Sequence, residues 1–369
     1  MSTNHRMTHI DTIRGVAVLG ILTMNMLHFA FGGEGYYDLM KSGNATRVDW
    51  ALSVLGEVFA DQKFMGMFSL LFGASFSIFY ERSDAKGLNA TRLTLWRNTL
   101  LLVIGGFHAA IWEGDVLTIY ALCVPLLLMV RRRSPSSQVL GGSALFLSAL
   151  GSNAFFGSAA SDDMIRDIWN GVLSTEAHEL MSLLILVDAY CRAAGLMMVG
   201  MGLYQSGFLK STAQIESFRG HALFALVAGA IVSAIGVAWS ALDAFSANAI
   251  ILGGLANTVA TIPMTLALVV LVAGWDTQSN GRLVIAIRSL GQTALSNYLG
   301  QTLLGLGLVA LVGASHFTRT TMWASILAIW GFQLIGSYYW LRRFRFGPVE
   351  WLWRTLTHRR IESILRTTT

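Results

Sequence analysis

Long apolar stretches alternate with short polar or charged segments along the whole chain. A helix needs about 20 mostly apolar residues to cross the hydrocarbon core of a bilayer, so these stretches predict about ten transmembrane helices. The pattern therefore predicts an all-α fold, a polytopic membrane helix bundle over residues 1–346 with no separate soluble domain. The predicted spans are residues 13–31, 62–80, 93–112, 116–130, 138–156, 180–204, 221–241, 248–273, 289–314 and 321–341.

Composition supports this class, because 54% of the 369 residues are hydrophobic and 13% are charged, whereas soluble domains carry about 25% charged residues. The formal net charge of +5 does not indicate a nucleic-acid partner, because the basic residues cluster at the ends of the predicted spans, as at Arg131–Arg133. By the positive-inside rule, this distribution predicts that both termini are cytoplasmic. Cys123 and Cys191 lie in apolar spans, so we predict neither a disulfide framework nor a metal site.

Three segments outside the spans have patterns of their own. Residues 32–61 contain an amphipathic stretch with Glu57 and Asp61 near its polar side, which predicts an interfacial or re-entrant helix at the outer mouth. The loop 157–179 is either a second outer lid or a plain solvated loop. Residues 347–369 mix tryptophans with basic residues, so we predict an amphipathic tail helix on the cytoplasmic membrane surface.

The first predicted span carries a polar stripe on an otherwise apolar helix. Arg14 and Asn25 are eleven positions apart, which is about 20° more than three full turns and a rise of about 16 Å. Asp11 and His28 lie close to the same line. Because polar groups are costly inside a bilayer, their alignment on one face indicates a functional role. We expect Arg14 and Asn25 to line one enclosed passage.

The outer part of the predicted bundle holds candidates for acid–base chemistry. His28 and His108 are candidate general bases, since a histidine oriented by a carboxylate suits proton abstraction from a hydroxyl or amine. Asn25 is a candidate donor to a carbonyl oxygen that gains charge. The alternative is that these side chains only hydrogen-bond neighbouring helices. The carboxylates expected nearby, on the acceptor side, are Glu57, Asp61, Glu113 and Asp115.

Arginines near the cytoplasmic ends of the spans form a second candidate set. Arg14, Arg97 and Arg288 are candidate phosphate ligands, because a guanidinium group binds phosphate through two charge-assisted hydrogen bonds. Positive-inside topology would by itself also explain where these residues lie.

Two polar groups lie deeper within predicted spans. Asp188 and Arg192 are four positions apart with the acid first, which predicts an ion pair on one helix face. In the ninth span, Asn297 and Gln301 either line a polar crevice or join neighbouring helices.

The chain resembles the YeiB-like family, domain of unknown function 418, in ordered blocks along most of its length. The resemblance identifies a family but does not by itself supply a reaction. The blocks are RMTHIDTIRGVAVLGILTMNM at the start, MFSLLFGASF at 67–76, RNTLLLVIGGFHAAIWEGDVLTIYAL at 97–122, CRAAGLMMVGMGLYQSG at 191–207, IRSLGQTALSNYLGQTLL at 287–304 and GPVEWLWR at 347–354.

The opening block is also distantly similar to transmembrane acyltransferases such as heparan-α-glucosaminide N-acetyltransferase. The similarity lies in an Asp-x-x-Arg-Gly start and in Asn25, since the heparan enzymes also have asparagine there. It implies acyl-CoA as a co-substrate, a catalytic role for Asn25, and a homodimer. Where the heparan enzymes carry a catalytic histidine in the outer loop, this chain has Tyr36, so His28 and His108 remain the candidate bases.

Together these features predict a bacterial inner-membrane acyltransferase that moves an acyl group, such as acetyl, from cytoplasmic acyl-CoA to a hydroxyl or amine. The acceptor is a small molecule, a glycan or a lipid that approaches from outside, and membrane lipid surrounds the protein. A transporter or exporter of a small polar or amphiphilic solute is the alternative, and a non-catalytic assembly factor is a third. The residues expected to bind acyl-CoA are Asp11, Arg14, Arg97, Arg288, Asn297 and Gln301.

Overall fold

The computed structural model describes residues 7–41, 43–44, 46–172, 176–279 and 281–366, without the side chains of residues 176–178 and 181. Parts of the predicted bundle (residues 1–6), of the loop 157–179 and of the tail (residues 367–369) lie outside these ranges. All regular secondary structure within them is helical, which confirms the all-α prediction. The helices are α1 Thr8–Tyr37, α2 Arg47–Phe59, α3 Lys63–Asp84, α4 Ala90–Ala109, α5 Leu117–Val130, α6 Pro135–Ala159, α7 Asp162–Trp169, α8 Glu176–Gln205, α9 Thr212–Ser217, α10 Arg219–Leu242, α11 Ala247–Gln278, α12 Arg282–Gln292, α13 Ala294–Val312, α14 Arg319–Arg343 and α15 Pro348–His358.

Seven segments in the described part of the chain are helices long and apolar enough to cross a membrane, judged by length and composition. Helix α5, Leu117–Val130, is a shorter apolar helix. The chain thus has the helices of a membrane protein, while the count of ten spans and the side on which the termini lie remain predictions. The seven segments are Thr8–Tyr37, Arg47–Asp84, Pro135–Ala159, Ser182–Gln205, Arg219–Leu242, Ala247–Gln278 and Ala294–Val312.

Helix α1 lies at the centre of the bundle, where it contacts α3, α11, α12, α13 and α14. Its closest approach is to α12 and depends on glycines in both helices. A Cβ atom on Gly15 would lie 2.2 Å from the carbonyl oxygen of Ile287, and one on Gly291 would lie 1.8 Å from that of Asp11. Such close backbone packing is typical of membrane helices with small residues at their interface. It explains why glycine follows Arg14.

The predicted ninth span, residues 289–314, is not one continuous helix. It breaks at Thr293, which has φ −113° and ψ 33°, so that α12 ends and α13 begins there. The Glu350 carboxylate of α15 accepts hydrogen bonds from the backbone N–H groups of Leu295 (2.6 Å) and Ser296 (3.1 Å). Because the first N–H groups of a helix lack partners within that helix, a carboxylate from elsewhere in the chain stabilises the new start.

Beyond the bundle, α1 bends at Gly32, whose φ of 71° is strained for residues with a Cβ atom. The turn that follows packs against α7, whose Ile165 and Trp169 are buried. Arg166 of α7 donates hydrogen bonds at 2.8 Å to both Glu34 and Asp38. In its described part, the loop 157–179 is therefore an ordered cap rather than a plain solvated loop.

The predicted ion pair within α8 is confirmed. Arg192 lies 2.6 Å from Asp188 and also donates hydrogen bonds to Gln62 (2.6 Å) and Thr258 (3.0 Å). Only 7% of the surface of Arg192 is exposed, so its charge depends on these partners in place of water.

Substituting Arg192 by Met is expected to lower the free energy of unfolding by about 3–5 kcal/mol, because Asp188 then keeps a largely buried charge without a partner. The double variant with Asp188→Leu should recover much of this loss, since it removes both charges. Denaturant or thermal unfolding of the protein in detergent measures both effects. A single variant as stable as the parent would show that the pair has no structural role.

Candidate functional site

A cavity of about 220 Å³ opens among α1, α3, α4, α5, α12, α13 and α15, and we call it the basic cavity. Arg14 and Arg97 supply its positive charge, and most of the remaining wall is aromatic or aliphatic. A cavity that combines two guanidinium groups with an apolar wall suits a ligand with an anionic head and an extended, weakly polar arm. Its other lining residues include Phe68, Phe72, Phe76, Asn98, Leu101, Leu117, Tyr120, Glu350 and Trp353.

The two arginines of the basic cavity are held in different ways. Arg14 donates to Asp11 at 3.1 Å and to Ser75 at 3.0 Å. The guanidinium carbon of Arg97 lies 4.3 Å from the ring centre of Phe79 and 4.2 Å from that of Trp353. Such a sandwich fixes the plane of the guanidinium group while its N–H edges stay available. Arg97 is thus prepared to bind an anion.

Helix α15 closes one side of the basic cavity, whereas the sequence predicted that this helix lies on the membrane surface. The Trp353 indole donates a hydrogen bond to the Arg97 carbonyl at 2.8 Å, so α15 packs directly on α4. Burial raises the pKa of the Glu350 carboxyl, although hydrogen bonds from Ser296 and Leu295 act in the opposite direction. The tail contributes two side chains to the cavity, Glu350 and Trp353, although its sequence pattern predicted a place on the membrane surface.

His28 and His108 meet around one tryptophan, with ring centres that both lie 5.9 Å from Trp112. Nδ1 of His108 lies 2.8 Å from the Asp115 carboxylate, and its Nε2 lies 2.9 Å from the Thr302 hydroxyl. Nε2 of His28 lies 3.3 Å from Glu113, whose side chain is 79% exposed. We call these residues the histidine cluster: His28, His108, Trp112, Glu113, Asp115 and Thr302.

His108 is the better general base by geometry. A carboxylate at Nδ1 selects the tautomer with a free electron pair on Nε2, as in hydrolase triads. The Thr302 hydroxyl now donates to that pair, where the O–H or N–H of an acceptor would donate. Thr302 was not identified from the sequence, because nothing local links residues 194 positions apart.

Helix α4 repeats the spacing seen in α1. Arg97 and His108 are eleven positions apart, so they share a face and are separated by about 16 Å along the helix. The same geometry relates Arg14 to Asn25. Helices α1 and α4 therefore each carry an arginine and, about 16 Å further along the same face, a polar side chain. The spacing of Arg97 and His108 is visible in the sequence, although it was not used to predict the site.

Among the described residues, the cavity that Arg14 lines does not extend to Asn25, as the predicted single passage would require. Neither Asn25 nor the two histidines line the basic cavity. Leu101 and Leu117 do line it, and both belong to one apolar cluster with Tyr298 and Trp112. These packed side chains separate the cavity from the histidine cluster, because a strongly apolar helix interior packs tightly wherever no polar group holds it apart.

Asn25 has an unusual environment of its own. Its amide nitrogen is buried and has no hydrogen-bond partner among the described residues. A buried donor without a partner is costly, and such exceptions concentrate at functional sites. The Asn25 amide therefore has N–H groups available to a ligand, as expected from its place on the polar face of α1.

Four of the six residues predicted to bind acyl-CoA do not line the basic cavity. Asp11 accepts the hydrogen bond from Arg14 given above. Arg288 pairs with Asp276 at 2.7 Å, and Asn297 donates to Ser337 at 2.9 Å. Gln301 donates to the carbonyl oxygen of Val18 at 3.1 Å and to the side chain of Gln333 at 3.0 Å. The bonds of Arg288, Asn297 and Gln301 join helices, which is the alternative that the sequence left open for the last two.

A second cavity, of about 250 Å³, contains two of the predicted acceptor-side carboxylates, Glu57 and Asp61, and we call it the acidic cavity. Asp188, Arg192 and four aromatic residues also line it. The other two predicted carboxylates, Glu113 and Asp115, belong instead to the histidine cluster. The aromatic residues are Tyr36, Tyr37, Phe156 and Trp169.

Known proteins that are similar to this chain align with 95% or more of its length. The family profile described as "Protein of unknown function (DUF418)" matches residues 203–360. The chain is 32% identical to "Uncharacterized protein YeiB" of Escherichia coli K12, over 95% of this chain and 96% of that protein. It is 26% identical to "Uncharacterized protein YxaH" of Bacillus subtilis, over 99% and 98% of the two chains. No solved structure matches at a significant level. The chain therefore belongs to the YeiB-like DUF418 family, as its sequence blocks predicted.

Proposed function

We propose that this protein is an integral membrane acyltransferase that uses acyl-CoA. The observation that carries the proposal is the basic cavity, into which Arg14 and Arg97 both open, each on a helix with a polar group eleven residues further along. The phosphates of CoA bind the two guanidinium groups, and the pantetheine arm follows the apolar wall toward the histidine cluster. The rise of about 16 Å along each helix sets the length that this arm has to span.

In the proposed reaction, His108 and Asp115 of the histidine cluster and Asn25 of α1 each have one role. The acceptor oxygen or nitrogen attacks the thioester carbon while Nε2 of His108 takes its proton. Asp115 stabilises the resulting imidazolium, and the Asn25 amide donates to the oxyanion. The tetrahedral intermediate then collapses, the carbon–sulfur bond breaks, and the CoA thiolate leaves with the proton held by His108.

This reaction requires an opening between the basic cavity and the histidine cluster. The side chains that have to move are Leu101, Leu117 and Tyr298, which pack between them. Movement of a few side chains on ligand binding is common even where the backbone stays in place. In the predicted topology, with both termini cytoplasmic in a bacterial inner membrane, the basic cavity faces the cytoplasm and the acidic cavity faces outward.

Transport of a small solute is the second candidate function. It is favoured by two separate cavities that approach each other along α3, where Met65 lines the acidic cavity and Phe68 lines the basic one. Alternating opening of such cavities is the general scheme of secondary transporters. Flux of solute into liposomes without CoA would support this candidate over the acyltransferase.

Acetyl-CoA should stabilise the purified protein against thermal unfolding. A ligand at 100 times its Kd stabilises the folded state by about 2.7 kcal/mol, which a thermal shift assay in detergent detects. 3′-Phospho-ADP, the nucleotide part of CoA without the arm, tests whether that part alone is sufficient, and acetyl-pantetheine, which lacks the nucleotide, tests the arm alone. If acetyl-CoA neither binds nor stabilises the protein, the acyltransferase proposal is overturned.

A further inference from the structure

The acidic cavity is built from aromatic side chains on one side. Tyr37 and Trp169 stack with ring centres 4.9 Å apart and planes 20° apart, and the ring centre of Tyr36 lies 4.8 Å from that of Tyr37. Trp169 ends helix α7, which covers the cavity and is held to α1 by Arg166. This wall provides a flat, polarisable surface for a small ligand.

Among the residues that line the cavity, the carboxylates outnumber the basic groups. Glu57, Asp61 and Asp188 supply three carboxylates and Arg192 the single guanidinium group. Arg192 is already engaged by Asp188 and Gln62, both at 2.6 Å. The Glu57 carboxylate has no hydrogen-bond partner among the described residues, and Glu57 lines the cavity.

Two further cations lie near these carboxylates but do not line the cavity. Lys63 is fully buried behind the wall and donates a hydrogen bond to the side chain of Asn257. Arg319 lies on α14, and its guanidinium group is 5.3 Å from the ring centre of Phe31. Their charges act on Glu57 through the protein, whereas the space in front of its carboxylate remains open.

We propose that the acidic cavity binds a small molecule that carries an ammonium group. The ammonium group pairs with Glu57 and Asp61, and the rest of the molecule packs against Trp169 and Tyr37. A cation near aromatic faces and carboxylates is stabilised by both. A neutral molecule of the same shape forms no charge-assisted hydrogen bond with these carboxylates, so it binds less tightly.

In the proposed reaction, this amine is the acyl acceptor and the acidic cavity is its binding site. This role rests on the proposed function. Tyr36 lines the cavity, and its ring centre lies 6.4 Å from that of His28, so the cavity adjoins the histidine cluster. The ammonium gives one proton to the Glu57 carboxylate before its nitrogen attacks the thioester carbon, and the nitrogen gives a second proton to Nε2 of His108 as the amide forms. The carbon–sulfur bond breaks and the thiolate of CoA leaves with this second proton.

Binding of two matched probes to the full chain in detergent, without acyl-CoA, tests the proposal. Phenethylamine, which is protonated at pH 7, should bind at least about tenfold more tightly than 2-phenylethanol, since it alone forms charge-assisted bonds. Tryptophan fluorescence reports binding next to Trp169, and calorimetry gives the Kd. Glu57→Gln should reduce amine binding to the level of the alcohol. Asp163→Asn, an exposed carboxylate on α7 outside the cavity, is the matched control.

Equal affinities for the amine and the alcohol in the unmodified protein would overturn the inference, and this comparison needs no variant to fold. Amine binding that Glu57→Gln leaves unchanged would also overturn it. The two proposals fail separately. If the amine binds but acetyl-CoA does not, the acidic cavity is still an ammonium site and the acyltransferase proposal is excluded. If acetyl-CoA binds but the amine does not, only the proposed ammonium site is excluded.

Discussion

Replacing Arg97 by alanine is expected to weaken acetyl-CoA binding by about a hundredfold, because hydrogen bonds to a charged group contribute about 1.5–3 kcal/mol. The sandwich between Phe79 and Trp353 holds the guanidinium group in the basic cavity, so little ordering entropy is lost when a phosphate binds. Arg97→Lys keeps the charge but cannot bind phosphate through two parallel bonds. It should therefore have an intermediate affinity.

Titration calorimetry with acetyl-CoA measures these affinities. Arg82→Ala, which removes an exposed arginine at the end of α3, is the matched control for a general loss of positive charge and should bind like the parent. If Arg82→Ala weakens binding as much as Arg97→Ala does, the effect is one of net charge and the basic cavity is not the CoA site.

Replacing His108 by alanine is expected to lower turnover by roughly a thousandfold, within the range typical for loss of a general base. Binding of acetyl-CoA should be unchanged, because His108 does not line the basic cavity. Asp115→Asn keeps the shape of the pair but no longer favours the tautomer with a free Nε2. It should lower turnover while the protein remains folded and binds CoA.

His28→Ala distinguishes between the two candidate bases. Within the described part of the chain, the carboxylate that pairs with His28 is the exposed Glu113, so the loss of His28 should affect turnover much less than the loss of His108. A reversed order of the two variants would assign the base to His28. If both variants retain full turnover while thermal stability falls, the histidine cluster has only a structural role.

Features set by the local geometry of a helix were predictable from the sequence. The i,i+4 spacing of Asp188 and Arg192 was sufficient to predict their ion pair, because one helical turn brings the two side chains together whatever surrounds the helix. The shared face of Arg14 and Asn25 followed from the same geometry. The spacing of Arg97 and His108 obeys it too and was open to the same argument.

Which helices meet, and in what register, was not predictable in this way. Apolar side chains in a membrane protein gain little from choosing one apolar neighbour over another, so their pattern does not specify the partner of each face. The cap that Glu350 places on α13, and hence the break at Thr293, depends on a helix that begins more than fifty residues later. The wall of Leu101 and Leu117 between the basic cavity and the histidine cluster likewise depends on how separate helices pack.

The sequence by itself determined that this chain is an all-α protein with membrane-type helices and a member of the YeiB-like DUF418 family. It also determined that the first helix has polar residues along one face. Only the tertiary structure decided that Arg14 and Arg97 share a cavity, that α15 closes it, and that Glu57 and Asp61 belong to a different one. The physical reason is that helical periodicity is enforced by hydrogen bonds a few residues apart. The cavities form instead where bulky side chains, glycine contacts and buried charges leave space between helices that are distant in the chain.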